Sequence, residues 1–186
     1  MNDWHNSEAA RSTSYSRSLS AAAAAAAVGI TSRDRKADVM NIGSRLLNNS
    51  NPEVRKDAIK SLARIGGSNA TFFIAKKIND LDPYVRAVAC EALGCMRAHC
   101  EKNLLYDALL DRKVCVRCAA ANALSYMGDK HGLAHIAKLL KIKGVHQLEC
   151  LRSFNTITRS KNPLNKKGIE DALRWIKRND QYLTRL

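Results

Sequence analysis

The residue types best able to do chemistry in this chain are its six cysteines and the histidines that follow them. Cys115 and Cys118 form a Cys-x-x-Cys, Cys90, Cys95 and Cys100 come shortly before it, and His131 and His135 stand at i and i+4. On a helix, positions i and i+3 share a face, so two thiolates could hold one ion. A structural zinc or iron–sulfur site would need two further ligands. The sequence offers no second Cys-x-x-Cys and no Cys/His pair at finger spacing. Buried cysteine behaves as a small hydrophobe, and Cys90 and Cys118 fall where small core residues recur. Packing is the preferred role for these thiols, and no metal or other cofactor is assigned. Unpaired cysteines in this number point to the cytoplasm or another reducing compartment rather than to a disulfide framework.

Catalytic constellations are missing from the pattern. There is no Gly-rich phosphate loop, nucleophile elbow or paired-carboxylate arrangement, so no catalytic residue is assigned. The remaining chemistry is charge. The chain carries +14, and residues 130–186 hold 13 Lys or Arg against four acidic residues, or +9 of that total. Arg152, Arg159, Lys161, Lys166, Lys167, Arg174, Lys177 and Arg178 make a basic C-terminal lobe. A potential of that sign attracts an acidic protein surface, nucleic acid phosphates or anionic lipid; the plain alternative is a solvated face. Beyond Phe154 the lobe has only Trp175 and Tyr182 as aromatics, little for a base-stacking platform. Among ligands, an acidic protein partner is preferred over nucleic acid.

The elements that must position these groups repeat every 31 residues. Val54, Val85 and Val116 are followed by Arg55, Arg86 and Arg117; Ala58, Ala89 and Ala120 come next in register, then Leu62, Leu93 and Leu124, then Ile65, Met96 and Met127. A fixed period of this length marks stacked units, each burying its apolar face against its neighbours. Asn51-Pro52 and Asp82-Pro83 read as helix starts, because Asn and Asp accept orphan amides and proline needs no amide at the first position. Gly66 and Gly128 stand where helices should end, and Gly94 lies within the pattern. A second apolar stripe follows in each unit: Phe72, Phe73, Ile74 and Ile78; Leu104, Leu105, Leu109 and Leu110; Leu133, Ile136, Leu139 and Leu140. The expected fold is all-α, a right-handed α-solenoid of about four to five antiparallel helix pairs.

The pattern Asp82-Pro83-Tyr84-Val85-Arg86 with Ala89, Ala92, Leu93 and Gly94, repeated at Asn51-Pro52-Glu53-Val54-Arg55 and, without the proline, at Asp111 to Arg117, resembles the HEAT repeats. Within them it is similar to the short subfamily named after phycobilisome lyases. The resemblance covers residues 51–142 and speaks to fold more than to function. It implies that Arg55, Arg86 and Arg117 form a structural ladder with Asp80, Asp82 and Asp111, rather than a grip on an anionic ligand. It also implies two activities found in that family, bilin lyase-type chromophore handling and DNA glycosylase action. The scarcity of aromatics, 5% of the chain, argues against the second.

The expected organisation is a mobile Ser/Arg-rich tail over 1–20, N-terminal capping helices over 21–50 built on the alanine run Ala21–Ala27, three HEAT-like repeats over 51–142, and a degenerate basic repeat or cap over 143–186. In the capping segment Val39, Ile42, Leu46 and Leu47 are expected to face inward. In the last unit Leu148, Leu151, Phe154 and Ile157, then Ile169, Leu173, Trp175 and Ile176, carry the apolar stripes. The polar stretch before the alanine run, with Asp3 and Glu8, argues against a signal peptide; an organelle transit peptide is the alternative. No stretch approaches the ~20 apolar residues that span a bilayer.

The functional expectation is a non-catalytic adaptor or scaffold subunit that docks a partner protein along its concave face and basic lobe. The side chains expected to meet that partner are Lys76 and Lys77, Lys102, Lys138, and Lys166, Lys167, Arg174, Lys177 and Arg178. Chromophore handling and nucleic-acid binding are the alternatives.

Overall fold

The computed structural model describes residues 41, 43, 45–142, 144 and 146–185. The expected tail over 1–20 lies outside the described residues, as does most of the capping segment, Val39 and Ile42 included. Of that segment's inward-facing set, Leu47 is buried and Leu46 half-buried.

Every element among the described residues is helical. In chain order they are α1 (Pro52–Ile65), α2 (Ser68–Ala75) with a 3₁₀ turn at Lys76–Asn79, and α3 (Pro83–Cys95) with a 3₁₀ turn at His99–Glu101. There follow α4 (Lys102–Ala108), α5 (Val114–Tyr126), α6 (His131–Lys141), α7 (Gln147–Thr158), α8 (Lys166–Arg178) and α9 (Asp180–Leu183). None is long and apolar enough to cross a membrane.

Local chemistry sets the boundaries. The Asn51 side chain accepts the Glu53 amide at 2.9 Å, and Asp82 accepts those of Tyr84 and Val85 at 2.8 and 3.1 Å. Each cap leaves a proline at the first helical position, where no amide is needed. Helix α5 starts without either device, and there the Asp111 side chain takes the Lys113 amide at 2.8 Å instead. Gly66 closes α1 at φ 73°, a left-handed value that an L side chain resists.

The helices that open successive units pack in sequence, α1 on α3, α3 on α5 and α5 on α7, with α2, α4 and α6 laid against them. The repeating residues make these contacts: Ala58, Ala89, Ala120, Leu62, Leu93 and Leu124 are all buried. Gly94 explains itself here. A Cβ on it would lie 2.5 Å from Ala123 Cα, so α3 and α5 approach backbone to backbone. At the C-terminal end the fully buried Phe154 meets Trp175 edge-on, ring centroids 5.3 Å apart.

Three residues assigned to apolar stripes do not reach the core. Phe72 is 55% exposed, Leu110 76% and Leu148 43%. Phe72 and Leu110 stand in runs of consecutive apolar residues, Leu110 directly after the buried Leu109, whereas Leu148 lies between the half-buried Gln147 and Glu149 near the start of α7. A run of consecutive apolar residues cannot all face one way on a helix.

An arginine–aspartate ladder beside a cation-rimmed groove

The period that spaces the helices also spaces a chain of charged contacts. Arg55 reaches the Asp80 carboxylate with Nε at 2.9 Å and Nη2 at 2.6 Å, and its Nη1 donates to the Asn49 and Ser50 carbonyls. One period on, Arg86 grips Asp111 with Nε at 2.8 Å and Nη2 at 3.0 Å, while Nη1 donates to the carbonyls of Asp80 and Leu81. Each aspartate serves both sides. Asp80 also accepts the Asp82 amide at 3.0 Å, so its carboxylate shapes the turn that starts α3. Such two-point contacts are shorter and more directional than single ion pairs. Burial opposes ionisation of Asp80 and Asp111, but the arginine forks and the turn amides outweigh it and hold both carboxyls below their usual range.

The ladder differs from the expected one in two places. Asp82 pairs with no arginine among the described residues; its side chain caps α3. Among the described residues Arg117 has no carboxylate partner: its Nη1 donates to the Asp111 carbonyl at 2.6 Å, and its buried Nε bonds to none of them.

A second carboxylate organises the other end of the helix pairs. Asp129, whose side chain is 7% exposed, accepts Lys102 Nζ at 2.8 Å, the Tyr106 hydroxyl at 2.5 Å and the His131 amide at 3.0 Å; His131 Nδ1 lies 2.6 Å away. Burial would raise its pKa, yet these contacts together hold it well below the usual carboxylate range. The same hydrogen bond pushes the Tyr106 phenol up. The cluster pins α4 against the start of α6.

Between those two helices and α9 runs a groove of about 740 Å³. Its floor is apolar, made by Leu109, Leu110, Ala134, Ala137 and Leu183; its rim carries His131, His135, Lys138 and Lys141. Asp180 is the acidic residue of the lining, and it sits 3.4 Å from Lys141. His135 is half-buried; burial and then the nearby charges of Lys138 and Arg117 lower its pKa, so the imidazole favours the neutral form.

The lysines expected to meet a partner are divided by this geometry. Lys138 stands on the groove rim. Lys102 is tied to Asp129, and Lys77 contacts Asp80 at 3.8 Å and Asn48 at 3.2 Å. Lys76 lies over the Phe72 ring, 4.2 Å from its centroid, which gives that exposed aromatic a cation–π partner. Lys166, Lys167, Arg174, Lys177 and Arg178 all lie exposed on α8. Arg174 pairs with Asp171, one turn before it on the same helix.

The cysteines do not converge as Cys-x-x-Cys chemistry requires. Cys118 faces Cys150 of α7, Sγ to Sγ 4.0 Å, rather than Cys115. The Cys150 contact and burial push the Cys118 thiol far up, and burial pushes Cys90 up to about 12. Buried thiols held protonated pack as small apolar side chains and are poor nucleophiles. Among the described residues no group of three or more His, Cys, Asp and Glu side chains is placed to hold a metal ion.

Sequence reasoning missed the groove because its floor depends on α9 folding back to bring Leu183 against α6. Nothing in the spacing announces that. The missing third carboxylate was readable, since the position one period after Asp111 is Ile142. No protein-family model matches this chain, and no curated protein matches it.

Proposed function

We propose that the chain is a non-catalytic protein–protein interaction module, a HEAT-like α-solenoid that seats an acidic, amphipathic segment of a partner protein in the groove over α4, α6 and α9. The observation that carries this reading is the pairing of an apolar floor with a cationic rim. A leucine-bearing helical face would bury apolar area chiefly on the exposed Leu110 and the half-buried Ala134, over a base already closed by Leu109 and Leu183, and that burial is the main driving force for such docking. Acidic side chains flanking that face would meet Lys138 and Lys141, contributing association rate and specificity more than raw affinity. Exposed α8 cations would add long-range steering of the same sign. Of the two aromatics in the basic lobe, Trp175 packs on Phe154, which leaves Tyr182 as the exposed one and weighs against a base-stacking platform.

The test is a fluorescence titration of the full chain with a labelled synthetic peptide, leucines at i, i+3, i+4 and i+7 and glutamates on its other faces, run beside a duplex DNA of random sequence. The reading expects peptide binding that weakens at least roughly tenfold in the Lys138→Glu, Lys141→Glu double variant. Binding of DNA alone, falling steeply with salt as counterion release requires, would replace it with a nucleic-acid role.

A further inference from the structure

Arg117 is the third member of a series whose first two members each grip a carboxylate 25 residues further on. Counting the same distance from Arg117 gives Ile142, an isoleucine left 65% exposed. Everything else about the third rung is kept. Nη1 of Arg117 donates to the carbonyl six residues back, as it does in Arg55 and Arg86. The Nε and Nη2 edge, which forms the two-point contact in the other rungs, bonds to no described residue here, and Nε is buried. The acids nearby are already engaged: Asp111 by Arg86, and Glu149 lies 3.5 Å from His146. The charge of Arg117 bears on His135, which lines the groove. A guanidinium edge of this shape matches a carboxylate in two-point geometry, and a lysine in its place would not.

We propose that the Nε/Nη2 edge of Arg117 is a carboxylate receptor, filled by an Asp or Glu side chain of the partner segment proposed above. The incoming acid takes the place that Asp80 and Asp111 hold in the first two rungs, so the partner completes the ladder in trans. Nη2 is the first point of contact, and the bond to Nε forms as the side chain settles. This site rests on the docking role proposed above, and it names the part of the partner that sets register.

Ile142→Asp supplies the carboxylate from within the chain, at the position the period prescribes. The probe is the same acidic amphipathic peptide, followed by fluorescence and by the side-chain Nε–H resonance of Arg117 in the full chain. The expected results are a raised melting temperature for Ile142→Asp, a roughly tenfold loss of peptide affinity in it, near-native affinity in Ile142→Asn, and a shift of the Arg117 resonance in the parent chain on peptide binding. Peptide binding that is equal in the parent and Ile142→Asp, with the Arg117 resonance unmoved, overturns the carboxylate receptor and leaves groove docking standing. A parent chain that binds no acidic peptide overturns the docking role, and the receptor with it.

Discussion

Arg86 and Asp111 meet in a two-point contact, Nε to Oδ2 at 2.8 Å and Nη2 to Oδ1 at 3.0 Å, and through it one period of the chain grips the next. Asp111 then passes the register on, since its carbonyl accepts Arg117 Nη1. The side chains of the pair are only 8% and 14% exposed, so removing one partner strands a charge away from water. Asp111→Ala should cost about 3 kcal/mol by urea unfolding. Asp82→Ala, which removes only a helix cap, should cost about 1 kcal/mol. Similar costs for the two would mean the ladder adds nothing to the stacking.

Gly94→Ala tests how closely α3 and α5 lie. Alanine favours a helix interior over glycine by about 1 kcal/mol, so propensity alone predicts stabilisation. The added Cβ would stand 2.5 Å from Ala123 Cα and force the helices apart, which costs about 1–3 kcal/mol. The expected outcome is a net loss in melting temperature; a gain would show that the helices are further apart than described.

Acid should weaken the fold through its paired aspartates. Asp80, Asp111 and Asp129 have folded pKa values below the ordinary carboxylate value, so the unfolded chain takes up protons first. Their contribution is complete above the unfolded pKa of about 3.9 and fades as pH falls from there through the lowered folded values. Unfolding free energy measured from pH 6 downward should decline most below about pH 4. Asp129→Asn should flatten that decline, because Asp129 lies furthest below the usual range.

Thiol reactivity should separate the cysteines by burial. Cys95 and Cys100 are exposed, while Cys90, Cys118 and Cys150 are buried. An aromatic disulfide reagent on the folded chain should label Cys95 and Cys100 in a fast phase. Cys90 and Cys118, held protonated by their surroundings, should react only on unfolding. Mass spectrometry of the labelled peptides assigns each phase, and fast labelling of Cys118 would contradict its place in the core.

How much of this was legible in the sequence follows from which interactions are local. The caps at Asn51 and Asp82 and the helix-ending Gly66 act within a few residues, so residue type and order announce them. The 31-residue period likewise announced which alanines and leucines are buried, because each unit packs on a copy of itself. The Asp129 cluster draws Lys102 and Tyr106 from 27 and 23 residues away at no repeating interval, and nothing in the pattern marks it. Leu110 and Phe72 misled for the opposite reason: their types suit a core, but Phe72 lies on the outer side of α2 and Leu110 in the turn after α4, both exposed. The groove combines both difficulties, needing an outward leucine and a short final helix in one place.

The most direct test of the central claim is a methyl-resonance map of the full chain titrated with the acidic amphipathic peptide. Docking in the groove predicts shifts concentrated at Leu109, Leu110, Ala134, Ala137 and Leu183, with Ile142 moving in step. Shifts confined to Ile169, Leu173 and Ile176 of α8, with the groove leucines silent, would contradict it and make the basic helix the binding element.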